Sequence, residues 1–181
     1  MRPATTAESH SSLTLASAQG IADTADRLDD APAAVTDEAL LARFQNAKNR
    51  PPASETMGFS MLRVDQANKE IEVAFEGRRE FTNPAGQIQG GFLCAMLDET
   101  MSVAGVVASG MTAFMPTLEM KTSFLRPALP GRLICVGRVV KWGRAIAFLE
   151  GEIYDDQRRL LAKATSTAMP QPYKSIKRAE A

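Results

Sequence analysis

The chain has 181 residues, of which 45% are hydrophobic, enough for one domain with a core and a tail. Lysine plus arginine and aspartate plus glutamate both number 21, so no global charge attracts nucleic acid or a membrane surface. The single histidine, His10, lies in a polar stretch. This excludes Ser-His-Asp and Cys-His nucleophile systems and histidine-based metal sites.

The charge is uneven along the chain. Residues 1–119 carry 9 basic and 16 acidic side chains, whereas residues 120–181 carry 12 basic and 5 acidic ones. Two interpretations of the basic second half remain open, a small phosphorylated ligand or solvated strand faces.

Cellular location is predicted from the cysteines and from the absence of targeting signals. Cys94 and Cys135 lack C-x-x-C spacing, which favours buried free thiols in a reducing compartment over a disulfide or zinc site. The N-terminal stretch has no continuous apolar segment, and no run of about 18 uncharged apolar residues follows. We therefore expect a cytoplasmic protein with no membrane partner.

The first third of the chain divides into a tail, a helix and two strands. Residues 1–35 are rich in small and polar side chains, which predicts a disordered tail. Residues 36–47 predict a helix capped by Thr36 and ended by the sequence NRPPAS. Residues 58–65 and 69–77 predict two strands in a hairpin, the second with strict alternation of apolar and acidic residues.

The second part predicts a buried helix and four strands. After a turn at Asn83, residues 90–109 form a run that is apolar on nearly every face, typical of a helix buried on nearly every side. Period-two patterns then predict strands at 115–125, 132–142, 145–154 and 159–168, joined by short connections that favour an antiparallel meander. We expect an α+β domain over residues 36–170, with a curved antiparallel sheet around the central helix, and a C-terminal tail over 171–181.

The segment NPAGQIQGGFLCAMLDET, residues 83–100, carries a recognisable motif. Asn83, Gly90, Gly91 and Asp98 match the pattern of an Asn, a Gly-Gly pair and an Asp seven residues later. With the Phe-Leu-Arg-Pro sequence of residues 124–127, this order resembles the hotdog-fold acyl-CoA thioesterases, and within them the phenylacetate-degradation type. The resemblance implies the hotdog fold, acyl-CoA hydrolysis without a cofactor or metal, and active sites shared across a homodimer or a dimer of dimers.

Site residues follow from the resemblance and from chemistry. The family's histidine is Gln89 here, which can donate through its amide but cannot exchange a proton near neutral pH. Asp98 is the candidate general base or nucleophile, and the helix N-terminus at Gly90 and Gly91 is the candidate donor to the thioester carbonyl. Thr117 falls where family members often carry a hydroxyl residue. Candidates for contacting coenzyme A are Arg126, Lys141, Gly143 and Arg144.

Each candidate has a plainer interpretation. Asp98 can be a structural carboxylate, Asn83 a turn residue, Thr117 an ordinary strand threonine and the two glycines a site of close packing. The basic residues can be solvated turn charges. Glu99 points about 100° away from Asp98 on the helix, which favours a charge at an interface or at a solvent edge.

Helix geometry predicts a shared site. Asp98 lies eight residues beyond Gly90, or about 12 Å along a helix, whereas reacting groups must approach to about 3 Å. Two antiparallel copies of the helix meet this requirement. Three rival functions remain open: an acyl-CoA-binding hotdog module without activity, a hydratase, for which His10 is a poor candidate, and a scaffold that uses the tail.

Overall fold

The computed structural model describes residues 35–173. The predicted N-terminal tail, with His10, and residues 174–181 therefore lie outside the described residues, except for Val35. Its carbonyl accepts a hydrogen bond of 2.8 Å from Gln66 Nε2.

Three helices and eight strands make up the described domain. The helices are α1 (Asp37–Gln45), α2 (Pro52–Met57) and α3 (Gly90–Ala108), with a short 3₁₀ turn at Arg79–Phe81. The strands are β1 (Ser60–Asp65), β2 (Glu70–Gly77), β3 (Ala113–Phe114), β4 (Thr117–Phe124), β5 (Gly131–Trp142), β6 (Ala147–Tyr154), β7 (Leu160–Ala168) and β8 (Gln171–Pro172). All six long strands and helices α1 and α3 fall within two residues of their predicted bounds.

The main sheet has six antiparallel strands in the order β1-β2-β5-β6-β7-β4 and curves around α3. The predicted α+β architecture is therefore confirmed, and so is the β1–β2 hairpin. The predicted simple meander is wrong for β4, which pairs with β7 and not with β5. The connection after β4 crosses the end of β7, because the backbone N–H groups of Leu125 and Arg126 donate to Leu161 O at 2.8 and 3.0 Å.

Glycines on two central strands let the sheet approach α3 closely. A Cβ atom at Gly137 of β5 would lie 2.8 Å from the backbone oxygen of Thr100, and one at Gly151 of β6 would lie 2.9 Å from Met101 Cγ. Thr100 and Met101 are both buried. The absence of side chains at these two positions therefore sets the depth at which α3 lies in the sheet.

Helix α2 was not predicted. The sequence NRPPAS was interpreted only as the end of α1, but Pro52 occupies the first turn of α2, where proline is tolerated because the N–H is unpaired there in any case. Gly58 ends the helix with a φ of +67°.

Strand β8 also differs from the prediction. Gln171 pairs with Phe114, and Pro172 pairs with Ala113. The predicted C-terminal tail over 171–181 therefore begins too early, because its first two residues are part of the domain.

By length and composition alone, α3 is apolar enough to cross a membrane, and half of its most apolar window is buried inside the domain. The core helices of soluble proteins share these properties. Since the sheet of the same domain packs against α3, we interpret it as a core helix.

Replacement of Gly137 by alanine should destabilise the domain, because the added Cβ collides with backbone rather than with a flexible side chain. We expect the free energy of unfolding in urea to fall by about 1–3 kcal/mol. Val140→Ala, at an exposed position of the same strand, should change it by less than about 0.5 kcal/mol. Equal effects of the two substitutions would contradict the proposed packing.

Candidate active site

The N-terminus of α3 presents two unpaired backbone donors. Gln89 precedes the helix in an extended conformation, with a ψ of 135°, and its side chain makes no capping hydrogen bond. Its carbonyl accepts from Phe92 N at 2.9 Å and from Leu93 N at 3.4 Å. Among the described residues, the N–H groups of Gly90 and Gly91 have no acceptor. They are open to a ligand at the positive end of the helix dipole.

The loop before α3 is held by Asn83. Its Oδ1 accepts from Ala85 N at 2.9 Å and from Gln87 N at 3.2 Å, which is the plainer turn role considered for this residue. Its Nδ2 has no acceptor within the described part of the chain, so it remains available as a donor. Gln89 N donates to Phe81 O at 2.8 Å and ties the end of the loop to the domain.

A groove of about 380 Å³ lies beside this helix terminus. Its walls include Asn83, Gly90, Leu93, Phe124 and Arg126. The Phe124 ring is so close that a Cβ at Gly90 would lie 3.0 Å from its Cζ, so a side chain at this position would crowd the ring. Arg126 Nη1 donates to Leu160 O at 2.7 Å, which fixes a cation at the edge of the groove.

Asp98 lies two turns further along α3 and is half-buried. Thr117, the first residue of β4, donates its hydroxyl to Asp98 Oδ1 at 2.6 Å. No other hydrogen bond reaches the Asp98 carboxylate from the described residues. Thr117 therefore fixes one oxygen of the carboxylate and leaves the other available as a base.

Glu99 is oriented differently from the expectation of a solvent-edge charge. Ser54 of α2 donates its hydroxyl to Glu99 Oε1, and Glu99 Oε2 is buried without a partner among the described residues. Burial raises the pKa of Glu99, the Ser54 hydrogen bond opposes this, and the neighbouring Asp98 adds to the rise. The carboxyl group points inward because α2, which the sequence did not predict, lies beside it.

The remaining candidates lie away from the helix N-terminus. Lys141 pairs with Phe148 and lines a groove of about 570 Å³ on the outer face of the sheet. Gly143 N donates to Ile146 O at 2.9 Å in the β5–β6 turn, where Arg144 is exposed. The Gly143 contact is tight, because a Cβ there would lie 2.7 Å from Ile146 O.

The strand register shows which candidates share an end of the domain. Thr117 pairs with Ala168, Ala168 with Ala147, and Ala147 with Trp142, so the β5–β6 turn lies at the Thr117 end of the sheet. Phe124, which touches Gly90, is seven residues further along β4, or about 23 Å. In one chain, the candidates thus form two groups, one at the Gly90 groove and one near Asp98.

Among the described residues, no element covers one face of α3 and one edge of the sheet. Gly91 and Ala95 are exposed on the helix, on the same side as Asp98. β4 is an edge strand, and it exposes 55% of Leu118 and 54% of Phe124. An edge of this length with exposed apolar side chains is typical of a strand that pairs with another chain.

Comparisons with known proteins agree with this geometry. The family model described as the thioesterase superfamily matches residues 85–162. The crystal structure of a proposed thioesterase from Ralstonia eutropha JMP134, described as related to phenylacetic acid degradation, is 34% identical with a TM-score of 0.66. The match covers 71% of this chain and 98% of that one. The chain belongs to the thioesterase superfamily. It is a thioester hydrolase with the hotdog fold, so the resemblance inferred from residues 83–100 is confirmed.

One more distant match is structural and another is by sequence. The PaaI protein of the phenylacetic acid degradation operon of Escherichia coli is 17% identical, with a TM-score of 0.62, over 74% of this chain and 91% of that one. A proposed esterase of Saccharolobus solfataricus is 26% identical over 104 residues, which are 58% of this chain and 72% of that protein.

Sequence reasoning missed two contributors to this region. Phe124 was noted only as part of the Phe-Leu-Arg-Pro sequence, and nothing in its pattern showed that it touches Gly90. Ser54 was interpreted as part of a helix-ending stretch. Both contacts join segments far apart in sequence, 34 residues in the first case and 45 in the second.

The raised pKa of Glu99 gives a prediction for stability against pH. Because the folded state favours the protonated carboxyl, its stabilising contribution is complete below the ordinary pKa of 4.5 and is lost as the pH rises through the folded value. Glu99→Gln removes this term, so its stability relative to wild type should increase as the pH rises from 4.5. Urea unfolding at a series of pH values measures the difference.

Glu80→Gln, at an exposed position, is the control for the loss of a negative charge. Its stability relative to wild type should stay constant over the same pH range. A constant difference for Glu99→Gln as well would contradict the burial of Glu99.

Proposed function

We propose that the protein is an acyl-CoA thioesterase that works as a homodimer, alone or as a dimer of dimers. The observation that carries the proposal is the arrangement of α3. Two unpaired N–H groups lie at its start, and a carboxylate oriented by Thr117 lies eight residues later on the same helix. Both halves of a thioester-hydrolysing site are present, but they are about 12 Å apart.

A second, antiparallel copy of α3 removes this separation. The side chains on the open face of the helix are small, since Gly91 and Ala95 are exposed there, so two helices can approach closely. Pairing of β4 with its copy would also cover the free sheet edge and the exposed Leu118. In such a dimer, each helix N-terminus faces Asp98 of the partner subunit, and two equivalent sites form by symmetry.

The proposed reaction uses each group in one role. The thioester carbonyl oxygen accepts from the N–H groups of Gly90 and Gly91, which stabilise the negative charge that develops on it. Asp98 of the partner subunit takes a proton from water as the water oxygen attacks the carbonyl carbon. When the carbon–sulfur bond breaks, that proton passes to the sulfur of coenzyme A. Direct attack by Asp98, with an anhydride intermediate that water then cleaves, uses the same geometry.

Three further residues position the reactants. Asn83 can donate through Nδ2 into the groove while its Oδ1 holds the loop. Gln89 is exposed at the start of α3 and can donate through its amide. Thr117 keeps the Asp98 carboxylate in one orientation. This mechanism uses no metal and no cofactor.

The groove at Gly90 fits the coenzyme A arm of the substrate. Its apolar walls suit the pantetheine chain, and Arg126 at its edge suits a phosphate group. In the antiparallel dimer, the β5–β6 turn of the partner subunit approaches this end. Lys141, Gly143 and Arg144 can then contact the nucleotide part. Free cysteines, Cys94 and Cys135, suit a reducing compartment, so we place the enzyme in the cytoplasm.

A second candidate function is an acyl-CoA-binding module without turnover, and the observation that favours it is Gln89 in place of the family's histidine. Gln89 makes no side-chain capping bond, so its amide is not committed to the fold. The unpaired donors and the ordered Asp98 favour catalysis, because a pure binding site has no need for a half-buried carboxylate.

Asp98→Asn should abolish most of the turnover. The asparagine side chain has nearly the same shape and can still accept from Thr117, but it cannot take a proton from water. We expect kcat to fall at least about 100-fold with the dimer intact. The measurement is release of coenzyme A thiol from a panel of aromatic and aliphatic acyl-CoA substrates, with size-exclusion chromatography for assembly.

Asp156→Asn, at an exposed turn, is the matched control and should keep wild-type kcat. Full activity of Asp98→Asn would contradict the proposed role of Asp98. If wild type bound acyl-CoA but cleaved no member of the panel, the binding module would be the correct function.

A further inference from the structure

Two adjacent carboxylates on α3 each accept a hydrogen bond from a hydroxyl group on another element. Thr117 of β4 donates to Asp98, and Ser54 of α2 donates to Glu99. The two side chains leave the helix about 100° apart, so the two hydrogen bonds hold α3 from two directions and resist its rotation. Thr117 bonds to Asp98, the carboxylate assigned to the reaction. Ser54 bonds to Glu99, for which the proposed reaction has no role.

Ser54 is held in a fixed position by the packing around it. Ser54 is 5% exposed, and its carbonyl accepts from Phe59 N at 2.9 Å. Phe59 packs against Phe75 of β2, with ring centroids 5.6 Å apart. At Gly58, a Cβ would collide with Glu76 at 2.6 Å, so the turn after α2 is closely packed against β2. Ser54 is therefore a fixed point from which α3 can be oriented.

The buried position of the Glu99 carboxyl group has an energetic cost. Its Oε2 is buried and has no partner within residues 35–173, and an unsatisfied buried carboxyl oxygen is unfavourable in either protonation state. A glutamine or a leucine would avoid the buried charge. A buried acid that accepts from a fixed hydroxyl group, next to the carboxylate of the proposed site, suggests a role in orienting that neighbour.

Within residues 35–173, the surroundings of Glu99 offer it no cationic partner. Asp98 is the one described group whose charge shifts the pKa of the Glu99 carboxyl. The residues one turn away on α3 are uncharged, and β2 presents Ile71, Val73 and Phe75 toward the core. On α2, the neighbour of Ser54 is Glu55, whose side chain is exposed. In the described part of the chain, Ser54 is therefore the group that holds the Glu99 carboxyl.

We propose that Glu99, held by Ser54, is a positioning residue for Asp98 that fixes the rotation of α3. The inference rests on the proposed role of Asp98. Glu99 itself touches no reactant. Loss of the Ser54–Glu99 bond lets Asp98 turn away from the reacting water, which lowers kcat. A side chain at position 99 that still accepts the Ser54 hydrogen bond keeps Asp98 in place, whether or not it carries a charge.

The test uses four variants of the full chain and acyl-CoA hydrolysis as the readout. For Ser54→Ala and Glu99→Ala, we expect kcat to fall about five- to tenfold with KM within about twofold of wild type. For Glu99→Gln, which still accepts from Ser54, we expect kcat within about threefold of wild type, because the hydrogen bond that fixes α3 is kept. Glu55→Gln, on the same helix as Ser54, should match wild type in kcat and KM.

The outcomes separate this inference from the proposed function. If Ser54→Ala and Glu99→Ala keep wild-type kcat, the inference is wrong while Asp98→Asn remains inactive. A loss of kcat in Glu99→Gln as large as in Glu99→Ala would also overturn it, because glutamine keeps the hydrogen bond from Ser54. Reduced stability with unchanged kcat marks a structural role only and would overturn it as well. Should Glu99→Ala fail to fold, Ser54→Ala and Glu99→Gln decide the question. Activity in Asp98→Asn would instead refute the proposed function.

Discussion

The proposed active site depends on the rigidity of α3. A helix fixes the distance between any two of its residues, and here it places the unpaired N–H groups of Gly90 and Gly91 about 12 Å from Asp98. No rotation of side chains brings these groups to one thioester. In the proposed mechanism, a protomer therefore holds two half-sites, and another chain supplies the complementary half of each. The proposed mechanism therefore predicts that the enzyme is active only as a dimer.

The rest of the domain keeps this helix in place and leaves one face of it open. Glycines at 137 and 151 let the sheet close on the buried side of α3, while Thr117 and Ser54 hold it from the flanks. The open face carries Gly91 and Ala95, beside the free edge of β4. A helix that is apolar on nearly every side is usually covered on nearly every side. The described residues leave this face of α3 uncovered, and the proposed partner subunit would cover it.

Helices and strands with a clear local periodicity of apolar residues could be predicted from the sequence. The all-round apolar run of residues 90–109 became α3, and the alternation in residues 69–77 became β2. The place of β4 was missed because strand order is decided by where a connection runs, and the connection after Phe124 bonds to Leu161, which is distant in sequence. Asp98, Gly90 and Gly91 were predicted from their match to the family pattern, and their roles stay a prediction. The inward orientation of Glu99 was missed because it depends on Ser54 of α2. That helix was not predicted, since the two prolines at its start were interpreted only as the end of α1.

The central claim is that one working site takes Gly90 from one subunit and Asp98 from the other. Its most direct test mixes two inactive variants, Asp98→Asn and Gly90→Pro. Proline removes the N–H group and suits the first helical position after the extended Gln89. Its Cβ would lie 3.0 Å from Phe124 Cζ, and the exposed ring of Phe124 has room to shift by a few tenths of an ångström. Co-refolded in equal amounts, they should recover about one quarter of wild-type activity, since half of the dimers are mixed and each holds one intact site. Activity no higher than the sum of the two variants alone, with mixed dimers shown by differential tags, would contradict the account.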